Sequence, residues 1–150
     1  MLCSKILVAY DGSDSAEKAL QMALSICKLN ESIELVLVSV CKLYAMGSGA
    51  EAAMMASADK TRTHLEEVAH SIPNPATVRL LKGAYPADLI LNCAKEEACD
   101  LIIMGSRGKG GMKGYLGSVS YAVIQASPIS VLIAKDSVNE TIAGAMSDND

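Results

Sequence analysis

The sequence predicts an α/β protein built on an open, doubly wound five-stranded parallel sheet with helices on both faces. Two observations lead there. Five short segments rich in β-branched residues recur along the chain, each a continuous apolar run and not a strict alternation, as expected for strands covered on both faces. Between them lie segments whose apolar residues repeat at helical spacing. The resulting order, β-α-β-α-β-α-β-α-β, closes with right-handed crossovers into an open sheet.

The first strand is SKILVAY, 4–10. Asp11-Gly12-Ser13 then turns the chain, and Asp14 and Glu17 stand at capping-box separation ahead of a stripe of Ala16, Ala19, Leu20, Ala23, Leu24 and Cys27. IELVLVSV, 33–40, is the second strand. MGSGAEAAMMA reads as a flexible loop running into a helix that ends near Ser71, before Pro73 and Pro75. Met54 and Met55 fill a face of that helix. ATVRLL, 76–81, is the third strand, and Pro86 opens a helix as a first-turn proline, with Leu89, Ile90, Cys93 and Ala94 facing inward. DLIIMG, 100–105, and ISVLIA, 129–134, complete the strands. Between these two, Ser118 is expected to cap a helix facing inward through Val119, Ala122, Val123 and Ala126, which Ser127-Pro128 stops. The chain divides into a domain over 1–135 and a polar tail over 136–150.

With 150 residues, half of them apolar and a fifth charged, the chain is a globular domain able to bury a core. A net charge of −4 argues against sequence-independent binding to nucleic acid. No apolar run approaches the roughly 20 residues of a membrane span, and MLCSKILVAYDGS meets an acid too soon for a signal-peptide core. The five cysteines are odd in number and lack CxxC spacing, which suits a reducing cytoplasm and offers no zinc site. His64 and His70, six apart on a helix without partners at metal spacing, read as surface residues.

Ligands of such sheets sit at the carboxyl ends of the strands, which directs attention to Asp11, Val40, Gly83 and the loop after the fourth strand. That loop, GSRGKGGMKGYLGS from Gly105 to Ser118, holds six glycines and three cations (Arg107, Lys109, Lys113) and no acid. Glycines let backbone N–H groups approach an anion, and the helix that follows adds unpaired donors at its N-terminus. Ser118 and Ser120 add hydroxyls, so the pattern points to phosphate. It is neither a P-loop, because Gly111-Met112 follows Gly105 and Gly110 where Lys-Ser/Thr is required, nor a dinucleotide fingerprint, because Lys113 stands where the third glycine belongs. Asp11 reads as a helix cap or a ligand contact, and the neighbouring loop favours the contact.

KILVAYDGS, DLIIMGSRG and GSVSYAVIQASPISVLIAK together resemble the universal stress protein family, over nearly the whole chain to about Lys135. The resemblance implies strand order 3-2-1-4-5 and a site for an adenine nucleotide: ATP, or AMP or ADP, with Mg or Mn bridging the phosphates. The family's nucleotide-binding branch carries Gly, two residues, Gly, nine residues, then Gly-Ser/Thr. Gly105, Gly108, Gly117 and Ser118 fit it, with eight residues in place of nine between Gly108 and Gly117. By matching positions, Asp11 would contact the ribose or adenine side and Val40 the adenine edge. Met104 and Gly105 would line the ribose, and Gly108, Gly117, Ser118 and Val119 would surround the phosphates, with Arg107 and Lys109 neutralising charge. The resemblance further implies a homodimer through the last strand, 129–134. The implied role is a cytoplasmic, nucleotide-binding regulator of the stress response. A member without nucleotide affinity, suggested by the shortened loop, and a slow ATP hydrolase are the alternatives. No GxSxG elbow is present, Ser118 has no base beside it, and Asp11 is the nearest acid that could orient a water, so a binding role is preferred to an enzymatic one.

Overall fold

The computed structural model describes residues 3–43, 48–108 and 115–135. Its elements run β1 (Lys5–Ala9), α1 (Asp14–Cys27), β2 (Glu34–Lys42), α2 (Ser48–Ser71), β3 (Ala76–Gly83), α3 (Pro86–Glu96), β4 (Leu101–Gly105), α4 (Ser118–Ala126) and β5 (Ser130–Ala134). The strands form one sheet in the order β3-β2-β1-β4-β5, every neighbouring pair parallel. The expected fold class, order and number of elements are those observed. The polar tail, 136–150, lies outside the described residues. Among the described residues no helix is long and apolar enough to cross a membrane.

Period-two alternation divides the core. Ile6, Val8, Leu35, Leu37 and Ile103 face α1 and α2, meeting Ala19, Leu20, Ala23 and Leu65. Leu7, Val36, Val38, Ile102 and Met104 face α3 and α4, meeting Ile90, Cys93, Ala94 and Val123. Each fully buried Leu, Ile or Val contributes about 1.5–3 kcal/mol, and strands buried on both faces gain this from every residue. All five cysteines are free thiols, four of them buried. Burial raises the Cys27 and Cys93 thiols and pushes Cys99 up to about 11, so these act as small apolar groups.

Local departures from the sequence expectation have identifiable causes. The capping box from Asp14 does not form. Ser13 is the N-cap and accepts from the Ala16 amide, while the Glu17 carboxylate accepts from the Tyr10 hydroxyl at 2.8 Å and from Gln21. α4 is capped by Gly117 without a side-chain bond, and Ser118, expected as the cap, is its first helical residue. α2 already includes Ser48–Ala53, where a loop was expected; its alanines outweigh Gly49 in helix propensity. β2 and β3 each run two residues past their expected ends because they pair with one another through Lys42 and Gly83. His64 is exposed as expected, but it packs on Tyr10, ring centroids 5.6 Å apart, with its Nε2 3.9 Å from Glu17.

Two polar residues stitch the amino-terminal end of the sheet. Buried Asn74 donates from Nδ2 towards the carbonyls of Cys27, Asn30 and Ile33 at 3.0–3.3 Å, tying the exit of α1 to the entry of β2. Asp100 accepts from the Ser4 amide and hydroxyl at 2.7 and 2.6 Å and from the Lys5 amide at 3.2 Å, joining β1 to β4. Burial opposes ionisation of Asp100, but the bonds from Ser4 and Lys5 outweigh it and hold the carboxyl below its ordinary value of 3.8.

Asn74→Leu strands buried carbonyls and is expected to cost about 1–3 kcal/mol, read as a lower urea midpoint at unchanged slope. A depressed carboxyl contributes stability above its unfolded-state pKa and loses it as pH falls through the lower folded value. The wild-type chain is therefore expected to lose stability more steeply than Asp100→Asn as pH falls below about 4, measured by urea titration across that range.

Candidate functional site

The strands end in a cleft of about 410 Å³ at the carboxyl edge of the sheet. Sheet geometry prepares one wall of it. The Tyr10 amide donates to the Val38 carbonyl at 2.8 Å, the last such bond beyond the β1–β2 ladder. Backbone groups of alternate residues face the same neighbour, so the N–H and C=O of Val40 point along that edge past the end of β1. The side chains of Val40, Met104 and Ala9 belong to the α3/α4 face, as does Ile90, and form the apolar part of the cleft. Lys42, two residues beyond Val40, and Pro86 at the start of α3 close that end.

The other wall is the loop after β4, whose two ends are tied. The Gly117 amide donates to the Ser106 carbonyl at 2.6 Å, and the Ser106 amide donates to both Ala134 O (2.9 Å) and Ser15 Oγ (2.8 Å). A Cβ at Gly105 would stand 2.5 Å from Ser15 Oγ and 2.7 Å from the Ser15 carbonyl carbon, so α1 packs where only glycine fits. A Cβ at Gly108 would lie 2.9 Å from Asp11 Oδ2, so the loop descends directly onto that carboxylate. Asp11 in turn is oriented by the Ser13 amide, which donates to Oδ1 at 2.9 Å.

The charge distribution follows from these elements. α4 begins at the cleft with no side-chain cap on its N-terminus, and Ser118, Val119 and Ser120 line the opening. The first amides of a helix lack intrahelical acceptors and carry a partial positive charge. Arg107 adds a cation on this side and Lys42 one on the other, with the Asp11 carboxylate between loop and strand. Among the described residues no group of three or more His, Cys, Asp or Glu could hold a metal ion.

Asp11, Val40, Met104, Gly105, Arg107, Gly108, Gly117, Ser118 and Val119 all line this one cleft, although they come from four separate stretches of sequence. Lys109 and Lys113 lie outside the described residues. Ser120, expected to offer its hydroxyl to a ligand, instead donates it to the Gly105 carbonyl at 2.8 Å. The sequence reading missed Lys42, Pro86 and Ile90 as lining residues. Lys42 shares a strand face with Val40 and was legible once β2 is extended, whereas Pro86 and Ile90 reach the cleft only because α3 packs beside α4.

The model of the universal stress protein family matches residues 3–135. Universal stress protein YxiE of Bacillus subtilis is 33% identical over 155 residues, an alignment covering 88% of this chain and 99% of that protein. The solved structure of hypothetical protein MJ0577 superposes with a TM-score of 0.79 at 27% identity, over 91% of this chain and 99% of that one. The universal stress protein of Archaeoglobus fulgidus, solved in complex with dAMP, shares the fold at a TM-score of 0.68 and 23% identity, over 90% and 100% of the two chains. A matching family model across the domain, relatives of nearly full length and a common fold place this chain in the universal stress protein family.

Proposed function

We propose that this chain is a cytoplasmic stress-response regulator that binds an adenine nucleotide, ATP foremost, in the cleft between Val40 and the start of α4. One observation carries the reading: an apolar slot with a free strand edge at one end opens onto an uncapped helix N-terminus at the other. Such a cleft suits a flat base joined to an anion.

The N–H donor and C=O acceptor of Val40 complement an adenine edge, which sets a ring-nitrogen acceptor beside the N6 amino donor; guanine carries an O6 acceptor in place of that amino group. Ala9, Ile90 and Met104 supply apolar surface for the base. Asp11, held by the Ser13 amide, is an acceptor for ribose hydroxyls. The amides opening α4, with Arg107 and Lys109, would meet the phosphates, each charged hydrogen bond contributing roughly 1.5–3 kcal/mol. A bridging Mg or Mn ion would be held chiefly by the phosphates and water, as such hard cations commonly are. The dAMP bound to the Archaeoglobus protein shows that this fold can hold an adenine nucleotide. The role is binding and release, with hydrolysis at most slow.

A homodimer through β5 belongs to the same reading. β5 is an edge strand, and residues 114–134 contain no Asp, Glu, Lys, Arg or His in a chain that is one-fifth charged. An uncharged edge invites pairing with another strand.

Calorimetry with ATP and Mg²⁺ is expected to show one site per chain. Asp11→Ala should weaken binding about tenfold or more. Gly117→Val, whose Cβ would sit 3.1 Å from the Arg107 backbone, should do the same by displacing the loop base. Absence of heat with ATP, ADP and AMP alike overturns the nucleotide reading. Sedimentation equilibrium at micromolar concentration should give twice the mass of one chain; a monomer throughout overturns the dimer.

A further inference from the structure

We infer that Ser15, a residue of the first helix lying outside the cleft, is a positioning residue for the nucleotide loop; the inference deepens the reading above and rests on it. Its side chain is almost wholly buried, at 2% exposure, in a place where an alanine would satisfy the packing of α1. Its hydroxyl instead joins the knot at the root of the loop. Ser15 Oγ accepts from the Ser106 amide at 2.8 Å, lies 3.2 Å from the Ala134 carbonyl to which it donates, and stands 3.3 Å from the Ser106 hydroxyl.

Ser106 is the residue at which the loop leaves β4, and its carbonyl receives the Gly117 amide at which the loop returns. The position of Gly117 therefore passes through Ser106 to Ser15. Gly117 is the N-cap of α4, so the same chain of bonds fixes where the uncapped amides of Ser118 and Val119 stand. The N-terminus of α1 also sets Asp11, because the amide of its N-cap Ser13 orients that carboxylate. Residues 13–15 thus set the distance between the carboxylate and the helix terminus that the proposed nucleotide must span.

The hydroxyl is separable from the fold. In Ser15→Ala the Ser106 amide keeps the Ala134 carbonyl and that carbonyl keeps the amide, so both backbone groups stay paired and only the Ser106 hydroxyl loses its contact. What is lost is the constraint on direction. The test measures three things on Ser15→Ala and wild type: the urea midpoint, ATP affinity by calorimetry, and amide hydrogen exchange at Ser106 and Gly117 by NMR. Ala19→Gly, a buried change farther along α1, serves as a control for general loosening of the helix.

The expected result for Ser15→Ala is a modestly lowered midpoint, exchange at Gly117 faster by about tenfold and ATP affinity weaker by a similar factor. Unchanged exchange at Gly117 overturns the inference, as does an equal loss of affinity in Ala19→Gly. If wild type binds no nucleotide, the reading of the cleft fails on its own and the exchange arm still decides whether Ser15 holds the loop. If wild type binds and Ser15→Ala binds equally well, the cleft reading stands and this inference falls.

Discussion

The close approach of α1 to the end of β4 is the constraint from which the cleft follows. At Gly105 the helix backbone occupies the space a side chain would need, so the strand end and the helix start are in van der Waals contact. That contact brings a helix hydroxyl within reach of Ser106, the first residue after the strand, and through it fixes the root of the glycine loop. It gives Gly105 a packing reason for being glycine that is independent of any ligand. A glycine in a phosphate-type pattern can thus be required by the scaffold before it is used by the site.

The two ends of the sheet are built on opposite principles. At the amino-terminal end polar groups are closed on one another: Asn74 gathers three carbonyls, and Asp100 gathers the Ser4 and Lys5 donors. Lys5 also meets Glu34 at 3.2 Å and Glu97 at 3.6 Å, and the bond to Glu34 raises its pKa. These ion pairs are partly exposed and individually contribute little; the buried amide of Asn74 matters more. At the carboxyl end β1 stops at Ala9 while β2 and β3 run on together to Lys42 and Gly83, and α4 begins without a side-chain cap. Backbone donors and acceptors that would otherwise close a ladder or a helix turn are left facing a cleft. Polar groups are closed at one end and left open at the other.

The charges around the cleft have the same logic. Asp11, Arg107 and Lys42 border an apolar floor, so the cleft carries groups of both signs. Tyr10 illustrates how the two faces of the sheet share the work. Its residue borders the cleft, while its ring belongs to the α1/α2 core, where burial and the hydrogen bond to Glu17 keep the phenol protonated well above its ordinary range.

The elements of the fold were legible locally because each rests on a short-range signal. Continuous apolar runs mark strands covered twice, and helical stripes mark the crossovers. Most of the proposed site was legible too, because the glycine loop and Asp11 sit beside strand ends that the topology brings to one edge. Helix starts were misplaced at Ser118 and at Ser48, where competing local preferences differ by tenths of a kcal/mol and packing decides. Lys42, Pro86 and Ile90 could not be joined to the cleft, since their approach depends on how far β2 pairs with β3 and on where α3 lies against α4. Asn74 between its prolines, and Ser15 one residue past an acidic cap region, gave no sign of their partners 41 to 119 residues away. By itself the sequence determined which segments become strands and helices and which loop is glycine-rich and basic, because periodicity and glycine chemistry act within a few residues. Only the tertiary structure decided which polar groups are closed off and which remain open to a ligand, because that depends on distances between chain segments far apart in sequence.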